Sequence, residues 1–344
     1  MEQSGYLARM DPNATPQPAD ARLEALHAWL QQLFPQGHRL TPASSDASFR
    51  RYFRVQTDGR SLIVMDAPPE HEDTGPFIDI AARLLAAGLH VPEVLQADTE
   101  QGFLLLTDLG STDYLSVLDA DSADRLYGDA ADALLRLQQA DRDGLPPYDE
   151  ALLQAEMGLF RDWLLGRHLG ITLEAEQAAR LQRAFDALAA AALEQPRVFV
   201  HRDWHSRNLM YCPGNNPGIL DFQDAVHGPL TYDLVSLLRD CYIAWPQERV
   251  RHWALDWLAR AHATGWQTQV AEDEFLRWFD LMGIQRHLKA SGIFARLNHR
   301  DGKPGYLKDI PRTLGYIRSM APHHPETRDL AALLDELTLF ERLA

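Results

Sequence analysis

Val200-His201-Arg202-Asp203-Trp204-His205-Ser206-Arg207-Asn208-Leu209-Met210-Tyr211, then Cys212-Pro213-Gly214-Asn215-Asn216-Pro217-Gly218, then Ile219-Leu220-Asp221-Phe222-Gln223-Asp224 is the stretch around which the chain is read. Two short apolar runs, 209–211 and 219–220, flank a segment dense in Pro, Gly and Asn. Turn formers between apolar runs predict a short β-hairpin. Such a hairpin presents Asn208 at one end and Asp221 at the other.

The spacing before the hairpin carries chemistry. His201-Arg202-Asp203, four further residues and Asn208 follow the His-Arg-Asp-x-x-x-x-Asn pattern of a phosphoryl-transfer catalytic loop. That reaction needs a carboxylate to orient the attacking hydroxyl and accept its proton, and Asp203 is the candidate. It also needs two oxygen-bearing side chains to hold Mg²⁺ against nucleotide phosphates, which Asn208 and Asp221 provide. Two protein ligands suffice, because Mg²⁺ keeps water and phosphate oxygens around it. His201 and Asp233 are expected to support the loop. His205 is expected either to position the loop or to touch the acceptor, and Asp224 is a further candidate on the acceptor side.

With Gly228-Pro229 and Tyr232-Asp233-Leu234 following, the stretch resembles the aminoglycoside phosphotransferase/choline kinase superfamily. Asp221-Phe222-Gln223-Asp224-Ala225 together with Gly228-Pro229-Leu230-Thr231-Tyr232-Asp233-Leu234 looks closest to its bacterial branch of anomeric amino-sugar kinases, which act on N-acetylmuramate and N-acetylglucosamine. The resemblance runs from about residue 20 to the end and is strongest at 200–240. It implies an α+β, two-lobed, protein-kinase-like fold with ATP and Mg²⁺ as cofactors. In such a family the residue matching Asp233 braces the catalytic loop. Asp233 also opens a helix, where a carboxylate suits the exposed N–H groups.

Composition sets the bounds. The chain has 344 residues, 46% hydrophobic and 24% charged, ordinary for a globular protein. No apolar run reaches the roughly 18 residues of a membrane span, and the N-terminus shows no charged-then-apolar leader pattern. Two cysteines, Cys212 and Cys241, offer neither a disulfide framework nor metal-ligand spacing. A cytoplasmic setting is expected. A net charge of −16 argues against nucleic acid or an anionic membrane as partner. Nothing implies a protein partner, and a small-molecule sugar is the expected one. The charge is uneven: residues 285–319 hold eight Lys/Arg against two Asp/Glu.

Along the chain, residues 1–19 read as a flexible tail. Leu23, Leu26, Trp29, Leu30 and Leu33 predict a helix over 20–35. Two strand-like segments then bracket a small-residue loop, Ser44 to Ser48, in which Ser44, Ser45 and Ser48 are placed over nucleotide phosphates. Residues 61–66 read as a buried strand where many kinases carry a phosphate-binding Lys. This chain has Met65 there and no Lys before Lys289. Either an Arg substitutes, with Arg50, Arg51 and Arg54 nearest, or the site does without. A helix over 76–88 and strands at 92–98 and 103–110 follow. By the family resemblance, Thr107, Asp108 and Leu109 form the hinge whose backbone pairs the adenine edge.

From 111 onward the period is helical, with helices expected over 122–140, 149–168, 173–194, 234–245, within 247–299 and over 325–343. Arg286, Lys289 and Arg296 are expected to face the acceptor and bind a substrate carboxylate. The expected organisation is a tail (1–19), a nucleotide-binding lobe (20–110) and a catalytic, substrate-binding lobe (111–344). The expected activity is phosphorylation of the anomeric hydroxyl of N-acetylmuramate or N-acetylglucosamine in peptidoglycan recycling. An aminoglycoside or small-alcohol phosphotransferase is the alternative, and a nucleotide-binding pseudokinase the second.

Overall fold

A computed structural model describes residues 20–45 and 49–343 of the chain. The segment 1–19 and Ser48 lie outside the described residues, as do the side chains of Ser44 and Ser45. The chain forms two compact units. The first draws on Met1–Glu72 and Gln96–Leu105, the second on Asp73–Leu95 and Leu106–Ala344.

In the first unit, helix α1 (Ala21–Leu33) begins where the Asp20 side chain accepts the Leu23 N–H at 3.1 Å. It stops short of Pro35, which has no N–H with which to continue a helix. Strands β1 (Arg39–Ser45), β2 (Arg51–Thr57) and β3 (Arg60–Asp66) pair antiparallel in sequence. With β4 (Val94–Asp98) and β5 (Phe103–Thr107) they make a five-stranded sheet of order β1-β2-β3-β5-β4. Side chains alternate between the faces of a sheet. One face buries Val55, Leu62, Val64, Phe103 and Leu105 against Leu26, Trp29 and Leu30 of α1.

The register of β2 and β3 pairs Tyr52 with Met65 and Arg54 with Ile63, so these four share the opposite face. Arg51 lies opposite Asp66, on the α1 side. Asp66 is fully buried and is held by Arg51 Nε at 2.9 Å and Arg22 Nε at 2.8 Å. A buried carboxylate needs such partners. Of the arginines near Met65, Arg51 is therefore committed to Asp66, whereas Arg54 lies on the face of Met65.

The second unit is mostly helical. Helix α2 (Gly75–Ala86) ends just before Gly88, whose φ of 74° suits glycine. Short α3 (Tyr114–Val117), then α4 (Ala123–Gln138), α5 (Glu150–Leu159) and α6 (Ala175–Leu193) precede the catalytic loop. After it come α7 (Tyr232–Leu238), α8 (Gln247–Ala263), α9 (Glu272–Asp301), α10 (Ile310–Met320), α11 (Arg328–Glu336) and α12 (Leu339–Arg342). Helix α9 is the axis of the unit and packs against α5, α6, α7 and α10. Being surrounded, it buries residues on every side instead of one stripe. Among the described residues no helix is long and apolar enough to cross a membrane.

Three expected helices differ. The helix expected over 149–168 is α-helical only to Leu159 and continues as a π-helix over Phe160–His168. There α9 comes closest: a Cβ on Gly292 would lie 2.3 Å from the Leu159 carbonyl carbon and 2.5 Å from the Phe160 nitrogen. The helix expected over 234–245 ends at Leu238, because Asp240 leaves the helix to bond backbone elsewhere. The last helix is broken at Thr338, which takes a φ of 51° between α11 and α12.

Candidate active site

Strand β6 (Arg197–Val200) delivers the chain into the loop His201–Asn208. Strands β7 (Leu209–Met210) and β8 (Gly218–Ile219) then form the expected hairpin, pairing Leu209 with Ile219. Strand β9 (Val226–Pro229) returns alongside β6. This antiparallel frame fixes both ends of the loop.

Two aspartates, one in α7 and one just past its end, hold the loop itself. Asp233, fully buried in α7, accepts the His201 N–H at 2.7 Å and the Arg202 N–H at 2.9 Å. Asp240, seven residues on, accepts the Ser206 N–H at 2.9 Å and the Tyr242 N–H at 2.8 Å. Burial pushes the Asp233 carboxyl up to about 7, against the two backbone N–H groups that favour its ionised form. Arg202 adopts a φ of 78° between these anchors, and Asp221 one of 62°. Left-handed backbone at residues with side chains persists where the surroundings over-determine it. At Asp221 the adjoining Phe222 is fully buried, its ring 4.8 Å from that of Phe77.

Asn208 and Asp221 converge as their spacing predicts. Asn208 Nδ2 donates to the Asp203 carbonyl at 3.0 Å and to Asp221 Oδ2 at 3.2 Å. Its nitrogen is thus engaged, so the amide oxygen is the atom it could offer a cation. Gln223 Nε2 donates to Asp221 Oδ1 at 2.8 Å and lies 3.4 Å from Asp224 Oδ2. The donor set is all oxygen with one carboxylate, which fits a hard cation that retains water and phosphate ligands. No group of three or more His, Cys, Asp or Glu residues suited to a metal occurs among the described residues.

Asp203 lines a pocket of about 160 Å³. Its lining includes the polar side chains of His205, Arg286 and Lys289 and the aromatic rings of Tyr242, Phe294 and Tyr306. A lining that mixes polar groups with aromatic rings suits a small polar molecule with apolar faces. Burial pushes the Asp203 carboxyl up, but the charges of Lys289, Arg202 and Arg286 outweigh it and hold its pKa below the usual carboxylate range. Burial lowers His201 to about 4 and also lowers His205, so both rings are neutral near pH 7. His201 Nδ1 accepts the Asp203 N–H at 3.2 Å, and the His205 ring packs edge-on to Tyr242 at 5.4 Å. Asp203 is therefore ionised near pH 7.

Glu156 of α5 is a residue that reading the sequence missed. It is 5% exposed and gathers three partners: Arg202 Nη2 at 2.5 Å, Lys289 Nζ at 2.8 Å and the Tyr148 hydroxyl. Lys289 also donates to the Tyr232 hydroxyl at 2.8 Å. Burial opposes the Lys289 charge, yet Tyr232 and Glu156 hold its pKa above the usual value. Tyr242 and Asp240 were also missed. Asp240 stands in the Leu-Leu-Arg-Asp run after Asp233, and its one-helix spacing from Asp233 was the available signal.

The remaining predicted residues lie outside this cluster. Asp224 is exposed and is not part of the pocket wall. Arg296 is on α9 but outside the wall, near Arg300 and Asp301. Ser44 and Ser45 end β1, opposite Tyr52 and Arg51. The Thr107 N–H donates to the Glu93 carbonyl at 3.1 Å. Asp108 Oδ1 accepts the Gly110 N–H at 2.9 Å, and the Leu109 carbonyl accepts the Cys212 thiol at 3.3 Å.

Residues 39–271 match the model of the APH phosphotransferase enzyme family. An N-acetylmuramate/N-acetylglucosamine kinase of Pseudomonas aeruginosa is 51% identical over 331 residues, covering 92% of this chain and 97% of that protein. Its namesake in Pseudomonas putida is 49% identical over the same shares. A Plasmodium vivax ethanolamine kinase superposes with a TM-score of 0.64 at 10% identity, covering 92% of this chain and 93% of that one, a likeness of fold. A β-sheet unit, a helical unit, the Asp203–Asn208–Asp221 cluster and these matches agree: the chain belongs to the APH phosphotransferase enzyme family.

Proposed function

We propose that this protein is an ATP-dependent sugar kinase. It transfers phosphate to the anomeric hydroxyl of N-acetylmuramate and N-acetylglucosamine, giving the sugar 1-phosphate. The observation that carries the reading is the ionised Asp203 opening onto a partly aromatic pocket beside Arg286 and Lys289. The pocket says small polar acceptor, and relatives about 50% identical over nearly their whole length supply the sugar. The two buried cations argue against an aminoglycoside, which is itself cationic. In this reading residues 20–110 serve the nucleotide and 111–344 the chemistry and the acceptor. The product would feed the recovery of cell-wall sugars.

Asp203 aligns the acceptor hydroxyl and takes its proton as the oxygen attacks. An anomeric hydroxyl is more acidic than an ordinary alcohol, which suits a base with a depressed pKa. His201 and His205 are neutral and do not compete for the role; they hold Asp203 and Tyr242 in place. Asn208 and Asp221 would hold Mg²⁺, whose charge would offset that of the phosphate oxygens. Asp233 and Asp240 keep the loop in register. Asp108 and Leu109 are the hinge groups we assign to adenine, since the Thr107 N–H is engaged by Glu93. Ser44, Ser45 and Ser48 are assigned to the phosphates. Arg54, on the sheet face of Met65, is assigned the charge that a Lys supplies in other kinases.

The test is ATP consumption with Mg²⁺ on N-acetylmuramate, N-acetylglucosamine and their 1-O-methyl glycosides. The free sugars should turn over and the glycosides should not. Turnover of the glycosides would move the phosphate to another hydroxyl. Absence of turnover on both free sugars would overturn the reading.

A further inference from the structure

The two buried cations of the pocket are not equivalent. Lys289 is ion-paired within the protein to Glu156 at 2.8 Å, a carboxylate it shares with Arg202, and is further bonded to the Tyr232 hydroxyl at 2.8 Å. Arg286 is 6% exposed, and among the described residues it makes no ion pair. Among the described residues its one hydrogen-bond contact is Nη1 to Cys241 Sγ at 3.7 Å, too long and too soft to satisfy a guanidinium. Its Nε has no hydrogen-bond partner. The acids near enough to act on it are Asp203 and Asp240. Asp240 already accepts two backbone N–H groups, and Asp203 is the base of the reaction.

A guanidinium taken out of water without a counter-charge is costly. It is retained where a ligand supplies that charge, and a planar fork of N–H donors matches a carboxylate in two-point contact. Resting on the reading above, the two sugars differ at one group: N-acetylmuramate carries a lactyl ether ending in a carboxylate, and N-acetylglucosamine has a hydroxyl there. We propose that Arg286 binds the lactyl carboxylate, and that it sets the preference for the acidic sugar over the neutral one. Lys289 is a positioning residue in this scheme. Its ammonium is already held by Glu156 and Tyr232, so it serves both sugars alike. Arg207, stacked over Tyr242 at 3.8 Å, is the rival cation near the aromatic rings.

The experiment measures kcat/KM for both sugars in the wild type and in Arg286→Met, Arg286→Lys, Lys289→Met and Arg207→Met. Arg286→Met should lower the N-acetylmuramate to N-acetylglucosamine ratio about 30-fold, the size of a charge-assisted contact. Arg286→Lys should restore part of it, and Lys289→Met should leave the ratio in place while lowering both values. Any influence of Arg286 through Asp203 acts on both sugars and cancels in the ratio. An unchanged ratio in Arg286→Met, or a ratio moved by Arg207→Met instead, overturns the proposal. A second arm needs no variant: the lactamide of N-acetylmuramate, which removes the charge and keeps the shape, should react with wild type about as poorly as the Met variant reacts with the acid. A lactamide as good as the acid also overturns it. If wild type phosphorylates neither sugar, the fault lies in the functional reading and not in Arg286.

Discussion

Asp233 Oδ2 accepts the backbone N–H of His201 at 2.7 Å, so a helix residue holds the entry to the catalytic loop from 32 residues away. Burial raises this carboxyl from 3.8 to about 7. A group whose folded pKa lies above its unfolded value contributes stability that is fully present below the unfolded pKa. That contribution is lost as pH rises through the folded pKa. The melting temperature of the wild type, relative to Asp233→Asn, should therefore fall between pH 4.5 and pH 8. A difference that stays constant or grows with pH would show that Asp233 is ionised throughout.

Glu156 balances two cations, Arg202 at 2.5 Å and Lys289 at 2.8 Å. Glu156→Gln strands both, and breaking a buried pair from one side costs about 3–5 kcal/mol. Lys289→Met leaves Glu156 still bonded to Arg202 and Tyr148, so it should cost less. Thermal melts of the two variants check the order. A Lys289→Met variant less stable than Glu156→Gln would contradict this account of the cluster.

Asn208 and Asp221 should separate from Asp203 by their dependence on metal. Asp221→Ala should lower kcat by about 10³-fold, since a metal's charge stabilisation is worth several kcal/mol. Asn208→Ala should raise the Mg²⁺ concentration for half-maximal rate by about tenfold, with partial rescue at high Mg²⁺. Mg²⁺ titrations of the two variants test both. An Asn208→Ala enzyme with the wild-type titration would remove Asn208 from the metal.

Arg54→Met should raise KM for ATP by about tenfold with a smaller effect on KM for the sugar. Arg51 faces α1 and binds Asp66, so Arg51→Met should lower the melting temperature and leave KM for ATP in place. The reverse pattern would assign the phosphate contact to Arg51.

The catalytic loop was legible in the sequence because its chemistry demands fixed residue types at fixed short spacing. Asp203, Asn208 and Asp221 are joined by a hairpin whose turn formers are explicit. The fold followed from the family resemblance that those residues carry, and α1 from its helical period. Glu156 was not legible. It is one acid on an amphipathic helix, and its partners on the catalytic loop and α9 come together only through tertiary packing. The end of α7 was missed because Pro246 marked an obvious stop, while the real one is set by Asp240 bonding Ser206 and Tyr242. Phe294 and Tyr306 carry no mark of a pocket in the sequence, since nothing in their spacing separates a packed ring from a pocket wall. Of the three basic residues of α9 expected to face the acceptor, Arg286 and Lys289 line the pocket and Arg296 does not. One helical face of charges carried no mark of where the pocket ends.

The most direct test of the account is the turnover of N-acetylmuramate by Asp203→Asn, measured beside its affinity for ATP. Loss of a general base costs about 10²–10⁴-fold. The account predicts a fall in kcat of that size, with nucleotide affinity and melting temperature close to wild type. An Asp203→Asn enzyme that phosphorylates the sugar at the wild-type rate would contradict it.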